Sequence, residues 1–127
     1  MRQAMGRIER WLQEADADPN GPPFSLVHRM DVRRRRCVFT LGIPLSGLAT
    51  NLPSDLESGF LPKCDVYTVR HIGAYRHLGN AWAAASLRQR HRVFRHNRVL
   101  LPFEVYETPP GSTAEANLVT TVNFPML

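Results

Sequence analysis

Leu101-Pro102-Phe103-Glu104-Val105-Tyr106-Glu107 begins beside a proline, alternates in polarity and runs into the turn-forming Pro109-Pro110-Gly111. The pattern predicts a short strand, because successive side chains of a strand point to opposite faces. Phe103 and Val105 then share one face, and Glu104 and Tyr106 share the other. An edge strand with a solvated outer face accounts for a mid-strand carboxylate at little cost. The alternative is a carboxylate in an aromatic-lined cavity, where a bound cation would offset its desolvation. The strand's neighbours decide between them.

On the C-terminal side, Asn117-Leu118-Val119-Thr120-Thr121-Val122-Asn123-Phe124-Pro125 reads as a second strand. On the N-terminal side, Asp65 to Ile72 is a strand by alternation and β-branching, and Gly73 breaks it. Tyr75 to about Asn97 then reads as a helix whose apolar stripe is Leu78, Ala81, Trp82, Ala85 and Leu87. The order is strand, helix, strand, strand. In the first third of the chain, Met1, Met5, Ile8, Trp11 and Leu12 fall on one helical face, and Asp16 to Pro23 ends that helix. Phe24 to Arg29 reads as a strand, Met30 to Arg35 as a charged turn, and Arg36 to Pro44 as the antiparallel partner. Ser46 to Lys63 is a connection poor in residues that pack, and long for an internal loop.

An internal repeat organises these elements. Pro23-Phe24-Ser25-Leu26-Val27 can be laid on Pro102-Phe103-Glu104-Val105-Tyr106, and Phe39 to Leu45 on Thr120 to Met126. Trp11-Leu12 falls on the helix that Trp82 occupies. The phenylalanine and the closing proline are separated by 20 positions in one half (Phe24 to Pro44) and by 22 in the other (Phe103 to Pro125). The expected fold class is therefore α+β, built from two divergent copies of one strand-helix-strand-strand unit. The domain is single over 1–127, with a first half-repeat at 1–45, a connection at 46–63 and a second half-repeat at 64–127. The first unit has no counterpart of Asp65 to Ile72. Either the chain is cut short at its start, or the connection or another subunit covers that sheet edge. A homodimer closed along it is the expectation.

Composition narrows the function classes. A chain of 127 residues with 43% apolar residues suits one domain or two small halves with a shared core. No apolar run approaches the roughly 20 residues that cross a bilayer, so no membrane partner is expected and the location is read as cytoplasmic. Cys37 and Cys64 lack metal or redox spacing and read as reduced, half-buried thiols. The histidines, His28, His71, His77, His91 and His96, show no ligand spacing, so no metal and no cofactor is expected. The net charge of +5 comes almost wholly from arginine, in Arg33 to Arg36 and in the run Arg88, Arg90, Arg92, Arg95 and Arg98. Such clusters can grip phosphates. They equally suit a charged hairpin tip and the polar back of a helix near its C-terminus. Without a helix-turn-helix pair, zinc spacing or an aromatic RNA-binding strand, no direct nucleic-acid binding is expected.

Over Tyr67 to Leu127 the chain resembles the GyrI-like small-molecule-binding domain, found as the effector-binding part of AraC-type and MerR-type transcription regulators and as stand-alone proteins. The resemblance rests on His71-Ile72-Gly73-Ala74-Tyr75, Ala81-Trp82, Pro102-Phe103-Glu104-Val105-Tyr106, Thr120 and Pro125. The first half matches in outline. The resemblance implies that the two units are related by a pseudo-twofold, with two main helices and a curved antiparallel sheet around a central cavity that holds lipophilic cations, as in multidrug-binding members. It implies Glu104 as the pocket carboxylate, Tyr106 as an adjacent wall, and Tyr75 and Trp82 as aromatic lining or support. Ser25 stands where the first repeat would carry Glu104, and Trp11 is the first repeat's tryptophan. For Trp11 and Trp82 the competing reading is plain core packing, and for Tyr75 helix-start packing. Two other functions stay open: a hydrolase of reactive small molecules using Glu104 with Tyr106 or Tyr75, and a protein-binding inhibitor of the gyrase-inhibitor type.

Overall fold

The computed structural model describes residues 2–31, 33–34, 36–47, 49, 51–109 and 111–127. The readings of Met1 in the helix face, Val32 and Arg35 in the charged turn, Leu48 and Thr50 in the connection, and Pro110 in the last turn lie outside the described residues. The chain is α+β, with helix α1 (Arg2–Glu14), strands β1 (Phe24–Asp31), β2 (Arg36–Gly42) and β3 (Val66–Ile72), helix α2 (Gly79–Arg90), and strands β4 (Phe103–Tyr106) and β5 (Val119–Pro125). All strands join one antiparallel sheet in the order β2-β1-β4-β5-β3. β4 is thus the central strand. The edge-strand reading of Glu104 is corrected: β4 has hydrogen-bonded neighbours on both sides.

The repeat is written into the hydrogen bonds. Phe24↔Gly42 and Ser25↔Leu41 in the first half match Phe103↔Asn123 and Glu104↔Val122 in the second. Asn20 N–H donates to Pro44 O, and Asn97 N–H to Pro125 O, both at 2.8 Å. Isolated bridges Pro19↔Leu45 and His96↔Met126 form another such pair. Between the halves, Val27 N–H donates to Pro102 O at 2.9 Å and Tyr106 N–H to Pro23 O at 3.0 Å. β1 and β4 pair as Phe24↔Val105, Ser25↔Glu104 and Leu26↔Phe103, so the pseudo-dyad passes between Ser25 and Glu104.

One face of the sheet carries the core. Directly paired residues share a face, which sets Val27, Val122 and Phe124 against Leu78, Ala81, Trp82 and Ala85. The dyad, normal to the sheet at an antiparallel pair, carries α2 onto α1 and leaves both helices on this face. Trp11 and Leu12 are buried there.

Helix α2 is shorter than its arginine-rich sequence predicts. It stops at Arg90, and Arg92 N–H bonds Gln89 O at 3.0 Å while Val93 N–H bonds Arg88 O at 2.9 Å, a Schellman ending with Arg92 at φ 61°. The cause is Phe94, 6% exposed, which stacks on Tyr67 with centroids 4.2 Å apart and rings 7° from parallel. Continuing the helix would forfeit that burial, so tertiary packing overrides propensity. Leu87, expected in the apolar stripe, is 53% exposed.

β2 is an edge strand with no further strand beside it among the described residues. The 46–63 connection forms no strand there. Its Asp55 instead pairs with Arg7 of α1, Nε to Oδ2, at 2.6 Å. Cys37, expected half-buried, is exposed on this edge, while Cys64 is partly buried; both are free thiols. No helix among the described residues is long and apolar enough to cross a membrane.

Candidate functional site

The dyad brings Ser25 and Glu104 side by side on the helix-bearing face, in the middle of the sheet. Alternation places Tyr106 on the same face as Glu104 and pairs it with Thr120, which in turn pairs with His71. Ser25 is 2% exposed, and its Oγ lies 2.8 Å from the Tyr106 hydroxyl, so these two buried groups satisfy each other. Tyr75 arrives from the β3–α2 turn. Gly73 takes φ 127°, a conformation closed to other residues at ordinary cost, and its N–H bonds Leu118 O at 2.8 Å. His71 Nε2 lies 3.0 Å from Ala74 O across the same turn. The turn delivers the Tyr75 ring edge-on to Tyr106, 5.8 Å between centroids.

Burial governs the acids. It pushes the Glu104 carboxyl above its usual pKa, while the Trp82 indole N–H pulls the other way. That indole nitrogen is buried and completes no hydrogen bond among the described residues, so its pull on Glu104 is that of a weak donor. Thr120 Oγ1 is the second buried polar atom without a partner among the described residues. Tyr106 is pushed up to about 12, chiefly by burial, with the Ser25 bond opposing and the Glu104 charge adding. Tyr75 is raised by burial as well. Among the described residues, the ion pairs join Arg7–Asp55, Arg34–Asp31 and Arg76–Glu115, and none includes Glu104.

Glu104, Tyr106, Tyr75, Trp82 and Ser25 are thus gathered around one point. Trp11 lines a recess of about 220 Å3 with Ala15, Asp18 and Leu45. A larger recess of about 400 Å3, beside Phe94 and Arg95, is likewise not lined by Glu104. The Glu104 site is a part-buried patch on the helix-bearing face of the sheet. Two residues that sequence reasoning did not attach to it stand on its β2 side. Phe39, paired with Val27, is 38% exposed on the same face. The Cys37 thiol has its pKa raised first by burial and then by the Glu104 charge, although the residue as a whole is exposed. Alternation within Arg36–Gly42 puts Cys37, Phe39 and Leu41 on one face, but only the register with β1 shows that it is Glu104's face.

Chemically, the arrangement offers one half-buried carboxylate without a cationic partner among the described residues, ringed by aromatic surface and an indole donor. It can hold a positive charge, and a raised carboxyl pKa also suits a general base. Among the described residues no three of His, Cys, Asp and Glu converge as a metal would require. The chain matches no family model and no curated protein in sequence.

Proposed function

We propose that the protein is a binding module for small lipophilic cations, held at Glu104 against Tyr106, Tyr75 and Trp82. The observation that carries the reading is the position of Glu104: central strand, pseudo-dyad, burial raising its pKa, and no ion pair among the described residues. A carboxylate kept there costs stability unless something positive offsets it. The resemblance to GyrI-like domains supports the same residue and the same ligand class, and with them a role as an effector-binding module in transcription regulation. Only one half bears the charge, since Ser25 stands opposite, which suits a single ligand lying off the axis.

The net charge of +5 repels cations at long range. Surface charges beyond about 8 Å are largely screened at physiological salt, whereas an opposite charge at 4 Å contributes about 4 kcal/mol at an effective dielectric near 20. The local carboxylate wins. Fluorescence titration with a cationic rhodamine dye and with a neutral isostere tests the reading. Glu104→Gln should weaken the cation by about 2–5 kcal/mol and leave the isostere nearly unchanged. Equal loss for both would overturn it, and Glu104-dependent turnover of an epoxide-bearing aromatic would replace it with the hydrolase reading.

A homodimer has a natural place on the same framework. Since Val27 bonds β4, alternation turns the backbone groups of Cys37, Phe39 and Leu41 away from β1, as Thr120 and Val122 turn theirs toward β3. Antiparallel β2–β2 pairing centred on Phe39 would use all of them. Light scattering at about 100 μM, well above a micromolar dissociation constant, should return twice the chain mass; a monomer would end the idea.

A further inference from the structure

The arginine run at the end of α2 is left unexplained by the Glu104 site. Arg88 is already engaged: its Nη1 donates to the Tyr67 hydroxyl at 3.1 Å, and its guanidinium stands 6.0 Å from the centre of that ring. Among the described residues, Arg92, Arg95 and Arg98 are not. With His96 and Gln89 they line the recess of about 400 Å3 whose wall is the buried ring of Phe94. None of the three makes an ion pair among the described residues.

The repeat supplies an internal control. The first half builds the same corner, with Asp16 N–H bonded to Gln13 O, Ala17 N–H to Leu12 O, and the bridge Pro19↔Leu45 standing for His96↔Met126. There the left-handed position is Asp16, at φ 51°, and the residue before the bridge is Asp18. Their second-half counterparts are Arg92, at φ 61°, and Arg95. The fold can therefore make this corner with acids, and its backbone does not ask for arginine. Left-handed helix ends favour glycine, so an arginine held there carries a conformational cost that the turn alone does not repay.

We propose that this recess binds a compact phosphorylated small molecule carrying at least two negative charges, such as a nucleotide. The volume falls within the range of small-molecule pockets. Three guanidiniums make charge-assisted, forked hydrogen bonds to phosphate oxygens. The α2 carbonyl end contributes only about half a negative charge against their three positive ones, and the Schellman bonds already occupy part of it. Phe94 sits too deep to stack on a base, so recognition centres on the phosphates. The site is separate from Glu104.

The test is isothermal titration of the full chain with inorganic pyrophosphate and with ATP at about 50 and 200 mM salt. Both should bind, and Arg95→Gln and Arg98→Gln should each weaken them about three- to tenfold, in line with charge-assisted bonds near solvent. Arg92→Gly should weaken binding similarly while raising the melting temperature, because it relieves the left-handed backbone; a merely structural arginine would not show that split. Glu104→Gln should leave pyrophosphate binding intact. No binding of either probe at millimolar concentration, or affinities indifferent to all three arginine variants, would overturn the proposal. So would binding of duplex DNA without binding of pyrophosphate.

Discussion

Tyr106→Phe removes one atom from the centre of the molecule, and the structure lets its cost be worked through. The hydroxyl lies 2.8 Å from Ser25 Oγ, and the two residues are 7% and 2% exposed. Losing it leaves the Ser25 hydroxyl buried without a partner, at a cost of about 1–3 kcal/mol. For a chain of 127 residues, an unfolding entropy of about 2.1 cal/mol/K per residue makes 1 kcal/mol worth about 4 °C. The variant should melt about 4–11 °C below wild type at pH 7. Ser25→Ala should cost a similar amount, since it orphans the phenol instead. The double variant should lie within about 1 kcal/mol of wild type, because it leaves neither group unpaired. Alkaline pH adds an independent check. The phenol titrates near 12 in the fold against an ordinary 10.0, so the folded state holds its proton longer than the unfolded one. Stability is full below pH 10 and falls as pH rises toward 12, by roughly 3 kcal/mol from this group at 1.36 kcal/mol per unit. Tyr106→Phe should lack that part of the loss. Thermal unfolding followed by circular dichroism measures every arm, and strictly additive costs in the double variant would refute the buried pair.

Glu104→Gln should stabilise the unliganded protein at pH 7, since burial raises the carboxyl pKa above its ordinary 4.5 and charging it costs stability as pH rises through that window. The gain should fade toward pH 4, where the acid is neutral in both states; a variant less stable than wild type at pH 7 would contradict the uncompensated charge. Gly42→Ala should destabilise by about 1–3 kcal/mol in urea unfolding, because the new Cβ would meet Phe24 Cζ at 2.6 Å. That exceeds the roughly 0.5–1 kcal/mol gained from the stiffer backbone, and a net gain would show that the ring moves aside freely.

Several features were determined by sequence alone. The period-2 strands and the duplicated order are local signals, repeated in two places. The alignment of Phe24 with Phe103 and of Pro44 with Pro125 anticipates a register that the backbone bonds reproduce. Alternation also ties Glu104 to Tyr106 on one face without any tertiary knowledge. What alternation cannot express is which strands flank which, because ladder partners come from distant parts of the chain. Only the tertiary structure made β4 central, set Ser25 against Glu104 on the dyad, and so desolvated the carboxylate. It also exposed Cys37 on the β2 edge and brought it to Glu104's face, through the pairing of Leu41 with Ser25 that no periodicity foretells. The end of α2 was decided in the same way. Arginine is a good helix former, and nothing local stops the run at Arg90. The stop comes from Phe94, whose place against Tyr67 and Phe124 lies in the core that the second half-repeat builds. Burying a large aromatic ring is worth more than the few helical residues it interrupts.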